Sequence, residues 1–183
     1  AKLEAAATQW GARFTVLPKP RIAVLVGGTS KHHLMTGAVA QRIGETLQAL
    51  CASTGGSLMV TASRRTDPES QAALKAALNG VPADFWDGSG DNPYLGMLAM
   101  ADGIVVTEDS VTMASEAAST GKPVFIAKMD GRAEKFEHFH ADLAAHGISR
   151  PLTGAWDTWT YPPIHEAARV AAEIRSRVTL PTA

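Results

Sequence analysis

The stretch IAVLVGGTSKHH, which covers residues 22–33 of this 183-residue chain, decides the fold. Its first five residues form an uninterrupted apolar run, Ile22–Val26, which is typical of a strand buried on both faces of a sheet. Gly27 and Gly28 then mark a tight turn. A helix is predicted over His33–Cys51, because apolar side chains recur there at three- and four-residue spacing. The stretch therefore predicts the first strand, loop and helix of an α/β fold.

The same alternation of strand and helix continues toward the C terminus. Four more apolar strands are predicted, over Ser57–Ala62, Ala83–Trp86, Gly103–Thr107 and Pro123–Ala127. Further helices are predicted over Pro68–Gly80, Pro93–Met100, residues 110–120, Phe136–His146 and Pro163–Arg177. No hairpin signal separates the strands, so they are predicted to run parallel with helices on both faces. The predicted fold class is α/β, a doubly wound, Rossmann-like parallel sheet.

The chain length fits one domain, at roughly 100–200 residues per domain. Residues 1–20 are predicted to form a leading helix and linker, residues 21–178 the Rossmann-like domain and residues 179–183 a tail. The chain begins with Ala1 and not with Met. We therefore expect the leading segment to connect to an N-terminal half that this sequence lacks.

Composition limits the classes of function. Lys and Arg number 17 and Asp and Glu 18, which gives a formal charge of −1 and no broad basic surface for nucleic acid. The longest apolar run is far too short to span a bilayer, so no transmembrane segment is predicted. Cys51, the single cysteine, excludes an intrachain disulfide, fits a reducing compartment and is expected to be buried. We expect a cytoplasmic protein with no nucleic-acid partner.

The loop after the first strand is a candidate ligand site, because ligands of open α/β sheets bind at the carboxyl ends of strands. Its two glycines let a ligand approach the backbone, and the following helix directs its positive end at the loop. Two hydroxyls and a lysine follow the glycines. The loop matches neither the G-x-G-x-x-G nor the Walker A motif, and a plain turn is the alternative. The residues concerned are Gly27, Gly28, Thr29, Ser30 and Lys31.

A second candidate segment follows the predicted strand Gly103–Thr107. The hydroxyl of Ser110 and free amides at a helix start can hold a phosphate, and the carboxylate of Glu116 can accept hydrogen bonds from a ribose diol. Asp109 or Ser110 is also expected to cap the helix. The carboxylates of Glu108 and Asp109 would repel a diphosphate unless they point away from it.

Two basic residues, Arg64 and Arg65, follow the predicted second strand. They are candidate contacts for a phosphate or a sugar carboxylate, and a solvated pair is the alternative. No metal is expected at the histidines of residues 138–146, because residues two apart lie on different sides of a helix. The spacing of the sequence identifies no catalytic residue.

Four segments together resemble a known family. They read VLVGGTSKHH (residues 24–33), TASRRTDP (61–68), YLGMLAMADGIVVTEDSVTMASEAASTGKPVFI (94–126) and KFEHFHADLAAHGISRP (135–151). They resemble the family of mitochondrial fission elongated-mitochondria proteins, whose bacterial members are also called predicted nucleoside-diphosphate-sugar epimerases. More remotely, the layout is similar to the C-terminal half of GT-B glycosyltransferases and of the non-hydrolysing sugar-nucleotide 2-epimerases. The resemblance implies a bacterial protein with this half's fold.

The resemblance also implies roles for particular residues. In the superfamily, the glycine-rich first loop and the start of a later helix hold the diphosphate of a nucleotide sugar. Matched motif by motif, the implied diphosphate contacts are Gly27, Gly28, Thr29, Ser30, Lys31, Ser110, Val111 and Thr112. Glu116 is implied to bind ribose, and the residues implied to border the base are Phe85, Trp86 and Asp87. No cofactor is implied beyond this ligand, which we expect to be of the UDP type.

The leading hypothesis is the nucleotide-sugar-binding half of a GT-B-type glycosyltransferase or nucleoside-diphosphate-sugar epimerase. The catalytic base of such enzymes usually comes from the N-terminal half, so this chain is expected to bind its ligand without turning it over. A non-catalytic interaction module in membrane or organelle remodelling is the alternative. An NAD-dependent enzyme is disfavoured, because the first loop lacks a third glycine and no acidic residue ends the second strand.

Overall fold

The computed structural model describes residues 2–164, in which helices cover both faces of a parallel sheet. Eight strands occur within these residues: β1 (Arg21–Val26), β2 (His33–Leu34), β3 (Ser57–Ala62), β4 (Ala83–Trp86), β5 (Gly103–Thr107), β6 (Val124–Ala127), β7 (Asp130–Gly131) and β8 (Ser149–Pro151). Six of them form the parallel sheet in the spatial order β4-β3-β1-β5-β6-β8. Numbered among themselves in chain order, these strands run 3-2-1-4-5-6, the order of dinucleotide-binding folds. The doubly wound α/β class is confirmed.

The helices divide between the two faces of the sheet. They are α1 (Lys2–Phe14), α2 (Gly37–Thr54), α3 (Pro68–Ala77), α4 (Tyr94–Met100), α5 (Val111–Ala118) and α6 (Glu134–Ala145). Side chains of α2 and α3 pack in one hydrophobic cluster, and side chains of α1, α4, α5 and α6 pack in the other. In β1, Val24 belongs to the first cluster and Leu25 to the second. Burial on both faces explains why β1 is apolar at successive positions.

The helix after β1 begins later than the sequence predicted. It starts at Gly37 and not at His33, and Thr36 caps it by accepting a hydrogen bond from Val39 N. His33 lies instead in β2, which pairs antiparallel with β7 outside the main sheet. Side-chain hydrogen bonds within residues 29–35 hold this segment in a turn. The spacing of apolar residues carries no information about such bonds, so the predicted helix began too early.

Other predictions of secondary structure had mixed outcomes. The prediction of Asp67 as an N-cap with proline at the first helical position is confirmed, although α3 ends before Gly80. Strand β8 was missed, because it has only three residues and two of them are exposed. The helix predicted over Pro163–Arg177 lies almost wholly outside the described residues. Cys51 is buried, as predicted, and burial raises the pKa of its thiol to about 11.

The N-terminal helix packs against α4 and fixes it on the sheet. Arg13 makes a bidentate ion pair with Asp84 of β4, at 2.8 and 2.7 Å. A Cβ at Gly96 would lie 2.5 Å from the ring of Trp10, so α4 approaches α1 closely. A helix within residues 1–20 is thus confirmed, and its connection to a preceding half stays a prediction. No helix within residues 2–164 is both long and apolar enough to cross a membrane.

Candidate functional site

The two glycines after β1 lie at the topological switch point of the sheet. Strands β1 and β5 are neighbours there, and the chain leaves them toward opposite faces. Gly27 N donates a hydrogen bond to Thr107 Oγ1 at 2.7 Å. Gly28 N donates to Asp109 Oδ2 at 3.2 Å. Both amides that were predicted to face a diphosphate therefore already have acceptors, one at the end of β5 and one in the loop after it.

Asp109 is the centre of this arrangement. Its side chain is fully buried, and its carboxylate also accepts hydrogen bonds from Thr107 Oγ1 at 2.7 Å and from Arg65 Nη2 at 2.9 Å. A hydroxyl, an amide and a guanidinium together compensate for the loss of water around the buried charge. A carboxylate of the protein itself thus lies among the hydrogen-bond donors between the two loops.

The same contacts explain why both residues are glycine. A Cβ on Gly27 would lie 2.0 Å from a carboxylate oxygen of Asp109, and a Cβ on Gly28 would lie 2.1 Å from the carbonyl group of Arg65. Thr66 Oγ1 also donates to Gly27 O at 2.7 Å. The missing side chains therefore let the loops after β1, β3 and β5 pack against one another. Contact of this glycine pair with a diphosphate stays a prediction.

The other predicted residues of the first loop differ in whether their side chains are available to a ligand. Thr29 Oγ1 bonds both the amide and the carbonyl of Met35, at 3.1 and 3.3 Å. Ser30 Oγ accepts from the amides of His32 and His33, at 3.2 and 3.1 Å. Lys31 is exposed. The two hydroxyls thus stabilise the loop itself, and the lysine remains accessible to a ligand.

Both carboxylates before α5 are bonded away from its first turn. Glu108 accepts from Met129 N at 2.6 Å and from Lys128 Nζ at 2.7 Å, on the β6 side of the helix start. Asp109 is bonded on the β1 side. Each carboxylate therefore has its own cation, Lys128 for Glu108 and Arg65 for Asp109, which offsets part of its negative charge.

The start of α5 has the features predicted for anion binding. Ser110 caps the helix, as predicted, by accepting from Met113 N at 3.3 Å. Val111 and Thr112 follow it and are exposed. Amides at these first helical positions have no acceptor within the helix, and the helix dipole makes the end positive. This end of α5 is therefore open to an anionic group.

A cleft of about 570 Å³ opens at the carboxyl ends of β3 and β4, beside α5. Its lining brings together three of the predicted residues, Arg64, Trp86 and Asp87. Phe85, also predicted to border the base, does not line this cleft and packs in the cluster beneath α2 and α3. Successive side chains of a strand point to opposite faces of the sheet, so Phe85 and Trp86 do not face the same side. The prediction that three consecutive residues border the base did not allow for this alternation.

The adjacent arginines have separate roles. Arg65 is held on the buried Asp109. Arg64 is exposed and lines the cleft, and it forms no ion pair or hydrogen bond with residues 2–164. Of the two predicted anion contacts, only Arg64 brings an uncompensated charge to the cleft.

Tyr94 was not predicted and connects the cleft to Glu116. It lines the cleft, and its hydroxyl donates a hydrogen bond to Glu116 Oε2. Burial and the neighbouring carboxylate raise the pKa of Tyr94, so the phenol stays protonated. Met113 lines the same cleft and precedes Glu116 by three residues, which places both on one side of α5. Glu116 thus lies at the rim of the cleft.

The histidines occupy different environments. His140 is buried, and its Nε2 lies 2.8 Å from the carbonyl oxygen of Glu108. Burial lowers the pKa of this imidazole. His138 and His146 are exposed. Within residues 2–164, no three His, Cys, Asp or Glu side chains are grouped so as to hold a metal ion.

Comparison with known proteins places the chain in a family. The mitochondrial fission ELM1 family model matches residues 1–178. Mitochondrial fission protein ELM1 of Arabidopsis thaliana is 36% identical over 179 residues, which are 96% of this chain and 42% of that protein. Uncharacterized protein RP120 of Rickettsia prowazekii (strain Madrid E) is 31% identical over 163 residues, which are 84% of this chain and 45% of that protein. The chain spans less than half the length of these curated relatives.

A solved structure supports the fold. UDP-GlcNAc 2-epimerase from Neisseria meningitidis, solved bound to UDP-GlcNAc, aligns with a TM-score of 0.58 and 17% identity. The alignment covers 84% of this chain and 38% of the epimerase. At this identity the likeness shows the fold alone, a doubly wound, Rossmann-like α/β sheet, as the sequence predicted. With the family match across nearly its whole length, the chain belongs to the mitochondrial fission ELM1 family.

Proposed function

We propose that this chain is the nucleotide-sugar-binding half of a GT-B-type protein. The observation that carries the proposal is the cleft of about 570 Å³ that ends beside α5 at the carboxyl edge of the sheet. It combines an aromatic wall, the cation of Arg64, which has no partner among residues 2–164, and a neighbouring helix start that is open to anions. A base, a ribose and a diphosphate need these three kinds of contact.

The position of each part of the ligand follows from the side chains that line the corresponding wall of the cleft. The base lies against Trp86 and Asp87, since an aromatic ring and a carboxylate supply stacking and a hydrogen-bond acceptor. The ribose diol donates to Glu116 at the rim. The diphosphate lies at the start of α5, against the amides of Val111 and Thr112. Lys31 and Arg64 contribute positive charge, and Ser110 fixes the helix start by capping it.

The glycine loop has a supporting part in this proposal. The amides of Gly27 and Gly28 and the hydroxyls of Thr29 and Ser30 already have protein partners. Displacing those partners would cost buried hydrogen bonds, whereas the start of α5 is free. We therefore place the diphosphate at α5, and the loop holds Arg65 and Asp109 behind it.

The reaction class proposed for the whole protein is sugar transfer or epimerisation. We assign no catalytic residue within this chain, because the sequence identifies none and the base of similar two-half enzymes usually comes from the N-terminal half. The chain then holds the nucleotide sugar for a partner domain that supplies the acceptor site and the base. The similarity of fold to an epimerase solved with UDP-GlcNAc supports the choice of this ligand class.

Calorimetric titration of the chain with UDP, GDP and UDP-GlcNAc tests the proposal. We expect saturable binding that weakens at least tenfold in Glu116→Ala and in Arg64→Ala, because each loses a charged contact. Glu45→Ala, an exposed change on α2 away from the cleft, is the matched control and should leave the affinity unchanged. No saturable binding, or binding indifferent to both cleft variants, would reject the proposal.

An interaction module in organelle remodelling is the second candidate, and membership of a mitochondrial fission family favours it. The large apolar side chains most exposed within residues 2–164 lie on separate segments: Val16, Leu34, Leu95 and Val111. This candidate predicts that Arg64 and Glu116 can be replaced without loss of biological activity, whereas apolar surface residues cannot. Complementation of a cell lacking the protein by the Glu116→Ala and Leu95→Ser variants separates the two functions.

A further inference from the structure

Tyr94 holds a fixed position at the boundary between two walls of the cleft. It is the first residue of α4, and its amide donates to Asn92 Oδ1 at 2.9 Å. The close packing of Gly96 against Trp10 fixes α4 on α1. The phenol ring is half-buried in the cluster on this face of the sheet, and the ring also lines the cleft. The position of its hydroxyl is thus set by the core.

Glu116 depends on this tyrosine for its orientation. Its side chain is on the surface of α5, where an isolated glutamate samples many rotamers at an entropic cost when one is selected. The Tyr94 hydroxyl donates to Oε2 and leaves Oε1 available as an acceptor. A carboxylate held in this way can accept from a ligand hydroxyl without first losing rotamer freedom.

The tyrosine cannot exchange its role with the carboxylate. Burial and the negative charge of Glu116 keep the phenol protonated, so it acts as the donor in this pair. The Glu116 carboxylate is therefore the acceptor in this pair, and a carboxylate suits a diol that presents two donors. A 2′-deoxyribose has one hydroxyl fewer and therefore offers this carboxylate one hydrogen-bond donor in place of two.

We propose that Tyr94 is a positioning residue that fixes Glu116 and thereby makes the cleft select ribonucleotides over 2′-deoxyribonucleotides. The proposal rests on the proposed function, since it assigns the carboxylate at the rim to the sugar of a nucleotide. It adds a specificity-determining contact between α4 and α5. The selectivity arises from the order of the carboxylate and not from a direct contact of Tyr94 with the sugar.

Paired affinities of ribo and 2′-deoxy nucleoside diphosphates test the proposal. UDP, GDP, ADP and CDP are titrated against the whole chain, each beside its 2′-deoxy form. We expect the unmodified chain to prefer the ribo form at least tenfold, and Tyr94→Phe to reduce that ratio by about three- to tenfold. The affinity for the 2′-deoxy form should change little.

Two controls separate positioning from a general effect on structure. Tyr161→Phe removes the other tyrosine hydroxyl of the chain, which donates to Lys122 O outside the cleft, and should leave the ratio unchanged. In a Glu116→Ala background, Tyr94→Phe should have no further effect on the ratio, because the two changes act through one contact.

The outcomes distinguish this inference from the function it builds on. Binding by the unmodified chain with a ratio that Tyr94→Phe leaves unchanged overturns the positioning role and keeps the proposed function. Equal weakening of ribo and 2′-deoxy forms in a variant with an unchanged unfolding midpoint also overturns the positioning role. If none of the eight nucleotides binds the unmodified chain, both the proposed function and the positioning role of Tyr94 are rejected.

Discussion

The loop cluster at the ends of β1 and β5 is closed, whereas the cleft one strand away, at the ends of β3 and β4, is open. In the closed cluster, the glycine amides, the Thr107 hydroxyl and the Asp109 carboxylate bond one another. In the cleft, Arg64 has no partner among the described residues, and Trp86 and Asp87 face a volume of about 570 Å³. Both regions lie on the carboxyl edge of one sheet.

The difference shows that a glycine pair after a strand can have a structural reason of its own, besides any contact with a ligand. Such glycines often allow a phosphate to approach the backbone. Here their missing side chains make room for an aspartate and for the backbone of a neighbouring loop. The closed cluster is thus expected to govern stability and the cleft to govern binding. The following predictions test that division, beginning with the largest effect.

Gly28→Ala should give the largest loss of stability. Its Cβ would lie 2.1 Å from the Arg65 carbonyl group, which is backbone and cannot rotate away. We expect the free energy of unfolding to fall by about 3 kcal/mol or more, measured by urea denaturation. Gly11→Ala is the matched control, because a Cβ there meets nothing within 4 Å and helix propensity favours alanine. Equal effects of the two substitutions would show that the loops can separate at little cost.

Asp109→Asn should be the next most damaging change. The amide retains the shape of the carboxylate but loses its charge, and it brings an NH₂ group to a place built from donors. We expect a loss of about 1–3 kcal/mol in unfolding free energy. Asp130→Asn, which weakens an exposed pair with Arg42, should stay within about 0.5 kcal/mol of the unmodified chain. An Asp109→Asn protein as stable as the Asp130 control would contradict the closed cluster.

Acidification should destabilise the chain through His140, which bonds the carbonyl of Glu108 beside the closed cluster. Burial lowers the folded-state pKa of this imidazole below its usual 6.5. The unfolded chain therefore binds the proton more readily, and stability falls as the pH drops through and below about 6.5. Urea midpoints at neutral and mildly acidic pH measure the effect, which should shrink in His140→Phe and persist in His138→Gln.

Arg64→Met should affect stability least. The side chain is exposed and unpaired among the described residues, so the unfolding free energy should change by less than about 0.5 kcal/mol. Diphosphate affinity should nevertheless fall about tenfold. Arg65→Met should show the reverse pattern, with a larger loss of stability because Asp109 loses its cation. Identical behaviour of the two variants would remove the distinction between the regions.

Much of the fold followed from the sequence because its signals are local. Apolar runs identified five of the six strands of the parallel sheet. The absence of hairpin signals between them predicted that they run parallel. Strand β8 was not predicted, because an edge strand needs few apolar residues and this one has only one buried residue. The start of α2 was misplaced because hydroxyls of Thr29 and Ser30 shape the preceding loop.

The candidate site was less predictable because its contacts are distant in sequence. Arg64 was predicted from its place near the end of the second strand, and Trp86 and Asp87 from the family resemblance; all three line the cleft. The contact between Gly28 and Asp109 joins residues 81 positions apart, and that between Tyr94 and Glu116 joins residues 22 positions apart. Such pairs have no signature in a single sequence. The same limit explains why the packing of the two glycines against Asp109 and Arg65 was not predicted.

A crystal structure of the chain with UDP-GlcNAc tests the central claim most directly. We predict that the diphosphate oxygens lie within hydrogen-bonding distance of the amides of Val111 and Thr112, with the base against Trp86. Asp109 should keep the hydrogen bond that it accepts from Gly28 N. A diphosphate bound on Gly28 N, with Asp109 displaced from the loop, would contradict the account.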